Sequence, residues 1–459
     1  MSENSADRDG PDSPTGARPA SASTARLTVD DLLASPRGRS LLHSVVAASQ
    51  VGPGTDEVPV DDSEVDPVDD SDVEPVDDSE VDPADVLGWV ALTAAETIDR
   101  EWATGILLSE SGADLTEVYV ADAAAEAIGL GRRSPRVPSQ AELERAMAEV
   151  IAGAMYWQPP HPEDVIAADP AMVEALRPWA EVIIDSGLLD SWSAGPDFDD
   201  LWELTWDDSD HTGDIPTRLS AEPAALISGA EGAPPSGAGA AALRAWSAEV
   251  ASSESEYRQE FAKDPRMAAS GEWWSTPAHE LVTTTGTWPS GEPIGLSLVE
   301  DDFGLRRARA CRLRLRDTFG VFIVNGPEQW AVLCRKYPLD VTAQRREVWF
   351  EATGRRGRWV IPDWSRVAED YDGVYVSLAG YVRTAGAVVD VGDGSLLPEA
   401  GDRPSYGDTD DRTASLMAGW NPDTTYWLTD AVAGIVEVVD WAMDDETCAW
   451  AAHPGHERP

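Results

Sequence analysis

Arg312, Arg314 and Arg316 recur at alternate positions in and just beyond the apolar run Ala308 to Leu315. The guanidinium group, with its fork of N–H donors, is the side chain best fitted to hold a phosphate or a carboxylate. A period of two places these three on one face of a strand and Cys311, Leu313 and Leu315 on the other. From Leu305 to Arg358 there are thirteen basic residues against five acidic ones, an island of +8 in a chain of formal charge −50. Arg345 and Arg346 extend the island. Farther on, Tyr375, Ser377 and Tyr381 read as one face of another strand, a polar-tipped aromatic border of the kind that lines ligand clefts. These eight residues form the candidate anion or partner site. The competing expectation is that the arginines neutralise the chain's own carboxylates across the sheet, as exposed ion pairs commonly do.

Other chemistry is thin. Six histidines are scattered, and no HExxH, GxSxG, Walker A or GxGxxG pattern occurs. His279 beside Glu280 is the one histidine worth testing, with a structural role the stronger expectation. Cys334 falls on the apolar face of a helix and reads as core. No cofactor or metal is expected. Three widely spaced cysteines without a CxxC pair suit a reducing compartment. The charge opposes binding to nucleic acid or to an anionic membrane. The longest span candidate, Ala431 to Met443, is broken by Glu437 and Asp440 and is short of the ~20 apolar residues a membrane helix needs. The acidic, polar N-terminus does not read as a signal peptide. A cytoplasmic location is therefore expected. Only two of the 34 basic residues are lysine, which fits a high-GC coding bias better than a halophilic surface.

The elements that position these residues can be read in part. Residues 1–27 read as a disordered tail, and 28–50 as short helices started by Thr28 and broken around Ser35-Pro36. Residues 51–83 hold the tandem octapeptide VDDSEVDP, VDDSDVEP, VDDSEVDP, ending at Pro83. Proline every eight residues and like charges throughout favour an extended, solvated spacer over a polyanionic ligand. A calcium loop is disfavoured, since the turn glycine and closing glutamate are absent. Residues 84–215 read as a helical domain, with a capping box at Ser139 to Glu142 and an Asp169-Pro170 start. Residues 216–240 read as an Ala/Gly/Pro linker, 241–440 as a helix followed by a β-rich domain, and 441–459 as a tail. Strands are expected at 281–285, 295–299, 308–315, 321–324, 374–382, 387–391, 413–420 and 424–428, with helices at 327–337 and around Trp364 to Tyr371. The fold class expected is α+β: a mostly helical N-terminal half, then a β-rich domain with a largely antiparallel sheet.

The segments GPEQWAVLCRKYPLDVT, RWVIPDWSRVAEDYDGVYVSLAGYV and AGWNPDTTYWLTD resemble a family of soluble proteins from high-GC Gram-positive bacteria that has no assigned activity. A fainter likeness extends to LTVDDLLASPRGRSLL and YWQPPHPEDV. The resemblance implies continuity of compartment and fold and carries over no catalytic residue. The function expected is a binding or regulatory protein whose Arg-rich, aromatic-edged site takes a protein partner or a phosphorylated small molecule. The alternatives are a nucleotide-using transferase of nucleotidyl or ADP-ribosyl type, and an acidic immunity or antitoxin-like protein that masks a basic partner. Oligomeric state is not readable from the chain.

Overall fold

A computed structural model describes residues 25–49, 127–206, 237–264, 271–302, 304–393, 410–444 and 447–453. The octapeptide repeat, the helical reading of 84–126 and most of the 216–240 linker lie outside the described residues. The first helices form where their caps predict. The Thr28 hydroxyl accepts from Asp31 N, and the Asp31 carboxylate accepts from Thr28 N, closing a capping box with aspartate in place of the usual glutamate. Ser35 ends Val29–Ala34 and caps Pro36–Ala48. The break is tight, because a Cβ on Gly38 would stand 2.4 Å from the Leu32 carbonyl oxygen. Ser139 and Glu142 form the predicted box at the start of Gln140–Ala152, and Asp169 caps Pro170–Ser186, which carries Pro178 in its interior.

Among the described residues twelve strands follow: β1 Leu201–Trp206, β2 Thr283–Thr285, β3 Arg307–Leu315, β4 Val321–Val324, β5 Pro338–Asp340, β6 Gly357–Pro362, β7 Gly373–Val376, β8 Val388–Asp393, β9 Asp410–Leu416, β10 Thr424–Trp427, β11 Val432–Met443 and β12 Trp450–His453. They build an eight-stranded sheet in the order β12-β11-β3-β1-β2-β10-β7-β4 and a four-stranded one in the order β5-β6-β9-β8. The α+β class holds, but the expected largely antiparallel sheet does not. Both sheets are mixed, since β4 pairs parallel with β7 and β6 parallel with β9. The β4–β7 crossover runs through helices Pro327–Lys336 and Thr342–Thr353, which alternation within single strands does not reveal.

Three local readings differ from the structure. The strand expected at 374–382 stops at Val376, where the Ser377 hydroxyl accepts from Gly380 N and starts the helix Leu378–Thr384. Gly380 is required there because a Cβ would lie 2.1 Å from the Val324 carbonyl oxygen. The stretch 295–299 holds a 3-10 turn, Ile294–Leu296, instead of a strand. Residues 441–453, read as tail, carry the end of β11 and all of β12.

One apolar cluster joins the N-terminal helices to the β-rich part, running from Leu32, Leu42 and Met147 to Trp330, Trp359 and Trp420. Trp330, Trp364 and Trp420 meet with ring centroids 5.6–6.0 Å apart, in the edge-on and tilted arrangements that aromatic quadrupoles favour. The helix Ala238–Lys263 contributes a cap across space. Its buried Glu254 accepts from Ala343 N and Gln344 N at 2.9–3.0 Å, at the start of Thr342–Thr353, whose own N-cap residue Val341 has no side-chain acceptor.

Candidate functional site

The arginine strand is β3, flanked by β1 and β11. Antiparallel register sets Arg312 between Trp202 and Glu437, and Arg309 between Thr205 and Asp440. Arg312 donates from Nε to Glu437 at 3.1 Å, and its guanidinium lies 6.0 Å from the Trp202 ring centroid. Arg309 pairs with Asp440 at 2.7 Å. These two therefore behave as cross-sheet neutralisation predicts. Arg314 and Arg316 do not: both are exposed, and among the described residues neither side chain has an ion pair. The face that carries Arg312 and Arg314 is divided. Its other end, at Ala308, is buried in a cluster with Trp206, Leu296, Leu305 and Trp450.

The remaining candidates lie elsewhere. Three strands, β1, β2 and β10, separate β3 from β7, so Tyr375 does not border the arginines. Tyr375 is buried and donates to Asp423 Oδ1 at 2.6 Å, while Asp423 Oδ2 accepts from Gly286 N and the Thr285 hydroxyl. Burial pushes both titrations up, that of Tyr375 well above the usual phenol range. Asp423 has a φ of 54°, and the triple clamp on its carboxylate holds that turn. Ser377 is a helix cap, and Tyr381 sits on that helix, wholly buried. Arg345 is also buried, donating to Gln344, Glu272 and the Trp274 carbonyl, with burial lowering its pKa. Arg346 lies over the Phe261 ring at 4.4 Å. Exposed His279 packs its ring 5.4 Å from that of Trp274.

Tyr381 instead takes part in a buried polar network that the periodicities do not disclose. Its hydroxyl donates to Glu300 Oε1 at 2.8 Å, and Glu300 Oε2 accepts from Gly419 N. Burial and the neighbouring Glu300, Tyr156 and Arg37 groups act together on its titration, and the result is well above the phenol range. Arg37, 3% exposed, donates to the Val150 carbonyl at 2.9 Å and to Asp164, whose other oxygen accepts from Ser40. Burial opposes the charge on Arg37, yet Asp164 and the tyrosines raise its pKa overall. Tyr156 stacks 5.8 Å from the Arg37 guanidinium and presses on Gly386, where a Cβ would come within 2.5 Å of the ring. Beside this network lies a cavity of about 190 Å³, lined among others by Pro36, Arg37, Tyr156, Asp164, Thr353 and Gly386.

Two of these stretches, SPRGRS and YWQPPHPED, are legible as a helix break and a rigid proline connector. Their meeting is not, because it depends on how the N-terminal helices dock on the helix Leu378–Thr384. Among the described residues no group of three or more His, Cys, Asp or Glu side chains is placed to hold a metal ion, and no helix is long and apolar enough to cross a membrane. Comparison of the chain with protein-family models, with curated proteins and with solved structures finds no match.

Proposed function

We propose that this is a binding protein that captures an acidic, extended polypeptide segment on the open end of the β3 face. The observation that carries this reading is the pair Arg314 and Arg316, exposed and without carboxylate partners among the described residues, in a chain where acidic residues outnumber basic ones 84 to 34. With so many acidic side chains available, neighbouring cations left unpaired at the end of one strand are where a polyanion gains most. Trp202, largely buried, backs Arg312 beneath this surface, and Tyr375 takes no part in it. Charge pairs at such exposed positions contribute ~0.2–1 kcal/mol each, so the interaction is weak, salt-sensitive and dependent on several carboxylates engaging together. A nucleotide-using transferase has less support, because the arginine strand and Tyr375 do not share a cleft.

The test is fluorescence anisotropy with a labelled peptide of two octapeptide units, VDDSEVDPVDDSDVEP, titrated with the full chain at 50 and 300 mM salt. The expected result is saturable binding that weakens at the higher salt and is lost in Arg314→Glu/Arg316→Glu. Retention of binding in that double variant would move the site away from β3. Absence of binding by peptide, with the chain folded, would remove the proposal.

A further inference from the structure

On its outer side β11 is covered over only part of its length. β12 pairs with Asp440–Met443 alone, so among the described residues Val432 to Val439 has a neighbouring strand only in β3. The direction of the free backbone groups follows from the ladder on that inner side. Met443 N donates to Arg306 O at 2.8 Å and Arg316 N donates to Ala431 O at 2.9 Å, at the two ends of the β3–β11 pairing. Alternation then turns the backbone of even-numbered residues of β3 toward β11 and that of odd-numbered ones away. Ile435 and Val438 stand opposite Leu313 and Cys311, so both turn their N–H and C=O to the outer edge. Val436 lies at a bulge between Ile435 and Glu437; it is 54% exposed, and Val438 is 53% exposed. Unpaired donors and acceptors beside exposed valines make a template for another strand. Immediately beyond, the same edge already takes β12 in antiparallel pairing.

Charge defines the occupant. Arg314 lies opposite Gly434, and a Cβ on that glycine would stand 3.5 Å from Arg314 Nη2. The exposed guanidinium thus extends over the edge strand at a residue with no side chain to block it. On this face Glu437 is already engaged by Arg312, which leaves Arg314, with Arg316 just past the strand end, for an incoming carboxylate. The opposite face presents Ile435 and Val438. A second copy of the chain is a poor occupant, because two chains of formal charge −50 repel each other.

We propose that an extended peptide adds to β11 as a new edge strand, bonding to the backbone of Ile435 and Val438. Its carboxylate meets Arg314 over Gly434, and its apolar side chains lie beside Ile435 and Val438. This rests on the capture of an acidic segment by Arg314 and Arg316, and adds how the backbone of that segment is held. Main-chain hydrogen bonds supply affinity and alternate side chains supply selectivity. In antiparallel pairing the recognised order is apolar, neutral, apolar, acidic, running from the residue opposite Val438 to the one opposite Gly434. A carboxylate in the second place faces Glu437 and is selected against.

Fluorescence anisotropy of the full chain with the labelled peptide GSVTVEDG tests the proposal, beside the octapeptide probe. Saturable binding is expected. It should weaken at least tenfold when both valine amides are methylated, which blocks the main-chain bonds and keeps the charge. The same loss is expected for GSVEVTDG, of identical composition, and in Val438→Pro. The Val438 amide faces outward, where proline spares the β3 ladder; should that variant fail to fold, the methylated peptide asks the same question of the wild type. Arg314→Glu/Arg316→Glu should also lose binding. Loss in the arginine variant with unchanged binding of the methylated peptide would overturn strand addition and leave capture at β3 standing. Binding of the octapeptide without GSVTVEDG would do the same. Unchanged binding of both peptides in the arginine variant, or no binding of either, would remove both readings.

Discussion

Replacing Glu203 by Gln should stabilise the protein, and by an amount that depends on pH in a defined direction. Glu203 lies in β1 directly opposite Cys311 in β3, on the face that also carries Leu201 and Leu313. Burial alone moves its carboxyl from an ordinary value of 4.5 up to about 7, and no cation pairs with it among the described residues. The same apolar setting, together with Glu203, pushes the Cys311 thiol up to about 11. A raised carboxyl means that the folded state binds the proton more tightly than the unfolded chain does, so stability falls as pH rises. Below about pH 4.5 both states are protonated and Glu203 costs the fold nothing as an acid. Between 4.5 and 7 the unfolded chain ionises first, and above 7 the penalty is complete. At ~1.4 kcal/mol per tenfold change in acid constant, that penalty is about 3 kcal/mol as an upper bound, because the side chain is only partly enclosed and water screens the charge. Urea denaturation of wild type and Glu203→Gln at pH 5 and pH 8 isolates the effect, since every other titrating group is common to both proteins. The variant's advantage should be below about 1 kcal/mol at pH 5, where the unfolded carboxyl has begun to ionise, and on the order of 2–3 kcal/mol at pH 8. A gap that is the same at both pH values, or larger at pH 5, would refute the desolvation account of this residue.

Three other substitutions probe contacts between distant segments, each by denaturant unfolding. Gly386→Ala should cost at least 2 kcal/mol, roughly the sum of a left-handed backbone strain and a Cβ driven into Tyr156, and less in a Tyr156→Ala background where the clash is gone. Tyr381→Phe removes a donor from buried Glu300 while leaving Gly419 N in place, so a loss of about 1–2 kcal/mol is expected. Glu254→Ala deletes the side-chain acceptor of Ala343 N and Gln344 N at the start of Thr342–Thr353 and should cost about 1–2 kcal/mol; hydrogen exchange should quicken first at Ala343 and Gln344.

What the sequence discloses about this fold follows the range of the interaction that decides each element. Helix starts at Thr28, Ser139 and Asp169 are legible because a cap acts over three residues, and the start at Pro327 because proline suits the first helical position. β3 and β4 are legible because their alternation or apolar character is complete within the strand. β6 is missed: Trp359, Val360 and Ile361 are all buried, the mark of a strand enclosed on both faces, and such a run has no period to read. β11 is missed for the opposite reason. Glu437 and Asp440 break its apolar run, and their place becomes intelligible only when Arg312 and Arg309 stand opposite them. Ser377 illustrates a conflict between two local signals. Strand alternation continues through it from Val374, but its hydroxyl and Gly380 three residues on specify a helix start, and the cap prevails because β7 has already met its parallel partner at Val376.

The candidate site divides along the same line, and charge accounts for the division. In a chain with this excess of carboxylate, any arginine near the surface meets an acidic neighbour at little cost, so ion pairing by itself carries no information. Burial does. Arg37, Arg345 and Arg383 are each enclosed and each hold a carboxylate, with Asp164, Glu272 and Asp31 as partners, and each also donates to backbone carbonyls of distant segments. Removing one partner of such a pair leaves a buried charge uncompensated, at about 3–5 kcal/mol. These arginines thus fasten segments far apart in sequence: 37 to 150 and 164, 345 to 272, and 383 to 26 and 31. The arginines of β3 show the reverse pattern. Arg314, and Arg316 just beyond the strand, are accessible, have no ion pair among the described residues where pairing would be easy, and keep the spacing of a strand face. Fastening explains the first group except at Nε of Arg37 and of Arg345, which are buried and have no hydrogen-bond partner among the described residues. It explains nothing about Arg314 and Arg316, which is why peptide capture is proposed there.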